Sequence, residues 1–331
     1  MRQPAEVAAA LPAGTVLVVY HVLPKRSIAW TLRRDAIRMQ VLPVGVRDLE
    51  EQVRALRRSI VERSADTQAA SRALHKLLVA PLGLREGEMV VFVPHKSLHL
   101  APLHALANDR GPLLATNAVA HALSVSAAGE SLAAPLVSAG ALLALGNPDL
   151  GDPDLDLPAA EDEVRAIAKL AGTSAFVRRE ASAARFRSAS PGAGIVHVAA
   201  HATIDEVDPL YSALKLAAGD VEAREIYGMD LRNARLVALS ACSSGMGKVS
   251  GGDEFWGFKR SFLVAGAKSL LVTLWPVADE STARMMQSFY RHRDSVTAAE
   301  ALRRAQLEAL RHPGEDAPLF WAPFILVGDW R

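Results

Sequence analysis

Unbroken apolar runs of strand length, spaced by helical stretches, constrain this chain more than any other feature. Met89-Val90-Val91-Phe92-Val93, Ala141-Leu142-Leu143-Ala144-Leu145, Ile195-Val196-His197-Val198-Ala199-Ala200, Leu236-Val237-Ala238-Leu239-Ser240-Ala241 and Ser269-Leu270-Leu271-Val272-Thr273-Leu274 show no polar alternation. A strand apolar at every position must be covered on both faces, as in a parallel sheet between helices. The intervening segments carry helix signals. Pro158 with Glu161, Asp162 and Glu163 opens a helix that Gly172 closes, and Thr297 with Glu300 makes a capping box. Further helices are expected from about Asp253 to Ala265 and from near Ser281, and Phe324-Ile325-Leu326-Val327 makes a last strand. Strand and helix in alternation imply an α/β fold with a mainly parallel sheet.

The first third reads differently. Residues 15–42 form a meander of three strands with short polar turns, and the last two alternate as half-buried strands do. A helix follows from about Asp48, with Leu49, Val53, Leu56 and Ile60 on one face. A shorter helix over 71–78 stops near Pro81, and 117–123 is a further strand. Residues 129–140 are small and featureless, which places a boundary there and divides the chain into 1–135 and 136–331. A length of 331 residues suits two domains.

Composition excludes several classes. Lys+Arg 37 against Asp+Glu 36 leaves a net charge of +1, so nothing suggests a nucleic-acid surface. The least polar run, 132–146, contains Pro135 and is too short to span a membrane. The N-terminal residues lack a signal-peptide pattern, and a single cysteine suits a reducing compartment. A soluble, cytoplasmic protein is expected, with no cofactor.

That single cysteine, Cys242, ends one apolar run and is followed by Ser243-Ser244-Gly245; His201 ends another. Each alone reads as a core residue, because free cysteine is commonly buried. Together, at the carboxyl ends of strands in a parallel sheet, they form a candidate thiol–imidazole pair. The imidazole would take the thiol proton and pass it to a leaving amine, and backbone N–H groups near Cys242 and after His201 would hold an oxyanion. Asp279 lies past the strand end at Leu274-Trp275-Pro276, where an acid would receive a basic substrate side chain or cap the next helix. Asp253-Glu254 fits the first turn of a helix.

Other motifs fail. Gly245-Met246-Gly247-Lys248 lacks the earlier glycine and the Ser/Thr of a phosphate loop. His197 and His201 share the spacing of a zinc pair, which leaves a metal-dependent hydrolase as a third reading, but no Glu lies between them. His95, His99 and His104 read as loop and surface residues. No Gly-x-Ser-x-Gly elbow is present.

At these residues the chain resembles a CHAT domain, of the caspase-like, separase-related cysteine protease family. His197-Val198-Ala199-Ala200-His201-Ala202 is similar to its histidine motif, Leu239-Ser240-Ala241-Cys242-Ser243-Ser244-Gly245 to its nucleophile motif, and Gly252-Asp253-Glu254 to its acidic motif. Residues 269–279, Trp321-Ala322-Pro323-Phe324 with Gly328, and Val93-Pro94-His95-Lys96-Ser97-Leu98-His99 complete the pattern. The resemblance implies a caspase-like three-layer sandwich with an N-terminal pseudo-protease half and a C-terminal active half. It implies peptide hydrolysis by Cys242 with His201, oxyanion donors on the Ala202 and Cys242 backbones, and a substrate site drawn from Asp279, Asp253, Glu254 and Trp275. It also implies a protein substrate cut after a basic residue, and restraint by a helical-repeat module or activating partner. Some relatives act in bacterial defence. The resemblance begins close to residue 1, which leaves any regulatory module to another segment or chain. Ala202 stands where the family usually has glycine, so a position needing positive φ would weaken the oxyanion site; a non-catalytic scaffold or sensor is the competing class.

Overall fold

The computed structural model describes residues 3–135, 140–205, 207–240, 242–243, 256–276 and 279–331, with backbone alone for Cys242, Ser243, Trp256 and Asp279. Helix α1 (Pro4–Ala10) precedes strands β1 (Thr15–Val22), β2 (Ser27–Arg33) and β3 (Ala36–Leu42). Helices α2 (Val46–Val61) and α3 (Thr67–Leu74) follow, the latter continuing through a π turn to Val79. Then come β4 (Met89–Val93), a minimal hairpin of β5 (Ala107–Asn108) and β6 (Gly111–Pro112), β7 (Val119–His121) and α4 (Val125–Ala133).

The regular alternation starts at β8 (Leu142–Pro148), with α5 (Pro158–Leu170), β9 (Ala175–Arg178), α6 (Ala183–Ala189) and β10 (Ile195–Ala199). Short strands β11 (His201–Thr203), β12 (Ala213–Leu216) and β13 (Gly219–Glu222) lead to α7 (Ala223–Tyr227). After these lie β14 (Leu236–Leu239), β15 (Cys242–Ser243), α8 (Trp256–Val264), β16 (Ser269–Thr273) and α9 (Asp279–Arg293). Helices α10 (Ala298–Arg311) and α11 (Pro318–Trp321) and strand β17 (Phe324–Gly328) complete the order.

Two compact units emerge. One comprises 1–135 with 298–322 and 328–331; the other comprises 136–297 with 323–327. Helices α10 and α11 belong to the first unit. There Arg303 of α10 donates to the carbonyls of Leu114 and Ala115 at 2.7 and 2.6 Å.

In the first unit β1 pairs antiparallel with β2 and parallel with β4, and β7 continues the parallel run beside β4. The face of α2 read from the sequence is the buried one: Leu49, Val53, Leu56 and Ile60. Strand β3 departs from expectation. It is an edge strand whose apolar side, Ile37, Met39 and Val41, is the exposed one.

In the second unit the order is β17-β16-β14-β10-β8-β9. The pairs β14–β16, β10–β14, β8–β10 and β8–β9 are all parallel. Strands β8, β10, β14 and β16 are buried at every position, so helices cover both faces, as continuous apolar runs require. Helix α5 packs on β8, β9, β10 and α9, while Phe186 of α6 meets Phe262 of α8 edge to face. This is a three-layer α/β arrangement on a mainly parallel sheet. Among the described residues no helix is long and apolar enough to cross a membrane.

Candidate active site

Two strands end early and restart in a second sheet. Strand β10 stops at Ala199, and β11 resumes at His201 in a small sheet ordered β13-β12-β11-β15. Strand β14 stops at Leu239 and β15 resumes at Cys242. The sequence marks His201 and Cys242 as the ends of apolar runs, and nothing in it signals that each backbone then re-enters a different sheet. Register is preserved across it: His197 pairs with Ala238 and Val198 with Leu239 in the large sheet, then His201 pairs with Cys242 and Ala202 with Ser243 in the small one. Residues in such register lie on neighbouring strands about 5 Å apart. The parallel ladder therefore brings the backbones of His201 and Cys242 side by side.

The His201 ring is oriented by a backbone carbonyl. Its Nε2 lies 3.0 Å from the oxygen of Leu155. A carbonyl only accepts, so Nε2 carries the proton and Nδ1 keeps its lone pair. Nδ1 is sealed from solvent and has no hydrogen-bond partner among the described residues. The ring is thus presented as the tautomer a general base needs.

Leu155 sits in a short turn held from three sides. Asp152 caps it by accepting from the Asp154 N–H at 3.0 Å. Asn147 Oδ1 accepts from the Leu157 N–H at 2.8 Å, and Arg178 donates to Asp156 at 2.6 Å and to Asn147 at 3.2 Å. Asn147 and Arg178 both hold left-handed backbone, at φ of 45° and 54°. Non-glycine residues persist there only when their surroundings fix them. The sequence carries no signal for this turn, since a backbone carbonyl has no side-chain signature.

Ala202 stands beside the paired His201 and Cys242, opposite Ser243. It lies in β11, paired with Leu214, in extended backbone that costs alanine nothing. The penalty expected for replacing glycine is therefore absent from this conformation. Trp275 is buried just past β16, and Asp279 is the first residue of α9. Asp253 and Glu254 lie outside the described residues.

His197 and His201 do not converge. His197 is fully buried, with Nε2 2.8 Å from Glu163 and Nδ1 3.2 Å from the Tyr290 hydroxyl. The strand break at Ala200 removes the shared direction that their spacing suggested, and no group of three or more metal-ligating side chains occurs among the described residues. His104, read as a surface residue, is buried against Trp321, and burial pushes it down to about 4.

Comparison with known proteins agrees with this architecture. Tetratricopeptide repeat protein 28 of Mus musculus is 28% identical over an alignment covering 78% of this chain, and the Homo sapiens protein is 26% identical over the same share. The chain spans 13% of the length of each of these relatives. Among solved structures, the Saccharomyces cerevisiae separase–securin complex matches with a TM-score of 0.66 at 12% identity, covering 98% of this chain and 30% of that one. The Arg-specific cysteine proteinase gingipain R matches at 0.50 with 10% identity, covering 81% of this chain and 68% of that one. Identities this low speak for the fold, which is caspase-like. The CHAT domain family profile matches residues 68–329, and the chain belongs to that family.

Proposed function

We propose that the chain is a cysteine endopeptidase in which Cys242 is the nucleophile and His201 the general base. The observation that carries this reading is the register of β11 on β15, with His201 opposite Cys242 and its Nδ1 free to accept. His201 Nδ1 takes the thiol proton, and the thiolate attacks the scissile carbonyl to give a tetrahedral oxyanion. The backbone N–H groups of Ala202 and Cys242 are the proposed oxyanion donors. Collapse expels the amine, which leaves with the proton from His201. Water, deprotonated by the same ring, then hydrolyses the thioester and frees the acid.

Asp279 is the proposed receiver of a basic P1 side chain, with Asp253 as the rival and Glu254 and Trp275 as neighbours in sequence motif. A protein substrate, and restraint by a helical-repeat module or partner chain, fit the repeat-protein relatives. A bacterial defence role rests on the family resemblance alone.

The test is profiling of new peptide termini after incubation with a protein library. Cys242→Ala and His201→Ala are expected to lose cleavage by about a thousandfold or more. Equal cleavage by Cys242→Ala removes the thiol from the mechanism; no cleavage by wild type, with binding intact, leaves the scaffold reading. Asp279→Ala is expected to abolish cleavage after Lys/Arg while preserving the fold. An unchanged P1 preference transfers the role to Asp253 or to neither.

A further inference from the structure

Beneath the paired strand ends lies a polar cluster that the mechanism does not use. Glu163 of α5, His197 of β10 and Tyr290 of α9 are buried, and so is Ser240, which follows β14. Glu163 Oε1 accepts from His197 Nε2 at 2.8 Å, and Oε2 accepts from the Ser240 hydroxyl at 3.3 Å. His197 Nδ1 meets the Tyr290 hydroxyl at 3.2 Å, and the two rings stack edge to face. Arg293 lies over the Tyr290 ring at 5.3 Å.

Such a cluster is a poor way to gain stability. A buried carboxylate and imidazole give up hydration that apolar side chains of equal volume would not, and their attraction commonly fails to recover it. What they supply instead is direction. One carboxylate ties β10, four residues before His201, to the residue that follows β14, two residues before Cys242. A slip of one residue between those strands would send every following side chain to the other face. The Ser240 N–H also donates to the Val198 carbonyl at 2.9 Å, in the same register. Two helices anchor the cluster, and α9 begins at Asp279.

We propose that Glu163, His197, Ser240 and Tyr290 are positioning residues that pin the register of β10 on β14 and thereby set the approach of His201 to Cys242. The proposal rests on the assignment of those two residues as base and nucleophile.

The chain has one cysteine, so the rate of alkylation by iodoacetamide in the native protein reads that thiol directly and needs no substrate. Its pH profile reports the thiolate. Glu163→Gln and Ser240→Ala are expected to move the profile upward, toward that of a free thiol, and to slow labelling at pH 7 by at least about threefold. Tyr290→Phe is expected to do so in the same direction. The double variant Glu163→Gln/Ser240→Ala should be no slower than the worse single variant, because both break one link. Phe186→Leu, a destabilised control away from the cluster, should leave the profile unmoved. If Glu163→Gln does not fold, Ser240→Ala decides. An unmoved profile in the folded cluster variants, or an equal shift in the Phe186→Leu control, overturns the proposal. A wild-type profile that His201→Ala leaves unchanged overturns the underlying pairing, and the pin falls with it.

Discussion

Asn147 shows how single residues reach the chemistry from a distance. It is buried in left-handed backbone, and its side chain accepts from Leu157 N and Arg178 while donating to Glu161 at 3.2 Å. Those bonds hold the turn whose Leu155 carbonyl orients His201. Asn147→Ala loses the bonds, at about 1–3 kcal/mol, and bears the left-handed penalty of alanine as well. Asn147→Gly loses the bonds but not the backbone tolerance, so it should unfold in urea at higher concentration than the alanine variant, by about 1 kcal/mol. Equal stabilities would show that the backbone there is not under constraint. His201 and Cys242 were legible because thiol and imidazole are chemically conspicuous. Asn147, Glu163 and Tyr290 were not, since a buried hydrogen bond depends on which helix lands on which strand.

Elements were legible where a pattern runs long enough to have a period. The meander, α2, β4, β8, β10, β14 and β16 follow directly from apolar spacing. Helix α4 is not read from the sequence, because its second half falls in the featureless 129–140 stretch, although Ser124 stands as its N-cap, accepting from the Ala127 N–H at 3.0 Å. Strands β11 and β15 are too short for any periodicity. Close packing of elements was equally invisible. At Gly146 in β8, an added Cβ would meet Val164 Cγ2 at 2.5 Å and the Ala160 carbonyl oxygen at 2.7 Å, both on α5. Gly146→Ala should therefore destabilise by about 1–3 kcal/mol through overpacking, read by chemical denaturation. Adding Val164→Ala should relieve only part of the clash, because the Ala160 carbonyl is helix backbone. Wild-type stability in the single variant would contradict this close approach of α5 to β8.

For the molecule as a whole, the burial of His104 predicts a loss of stability in acid. Burial drives His104 down to about 4 from 6.5, and a hydrogen bond to the Ala322 backbone offsets this only in part. The unfolded chain then binds a proton that the folded chain refuses. His104 thus favours the fold fully above about 6.5, and that contribution is lost as pH falls toward 4, on the order of 3 kcal/mol in all. His104→Gln should flatten the change in urea midpoint between about pH 7 and pH 4.5; an unaltered slope would assign it to other groups. The α/β class and parallel sheet were readable from the whole sequence, because they follow from which runs are apolar. The division of the C-terminal helices was not, as it depends on contacts distant in sequence. At every scale the proposed chemistry comes down to Cys242 as a nucleophile activated by His201. Intact-protein mass spectrometry after exposure to a peptidyl acyloxymethyl ketone with a basic P1 residue tests it most directly. A covalent adduct on Cys242 is expected, forming far more slowly in His201→Ala; no adduct, or one that forms equally fast without the imidazole, would remove His201 as the activating base or Cys242 as the nucleophile.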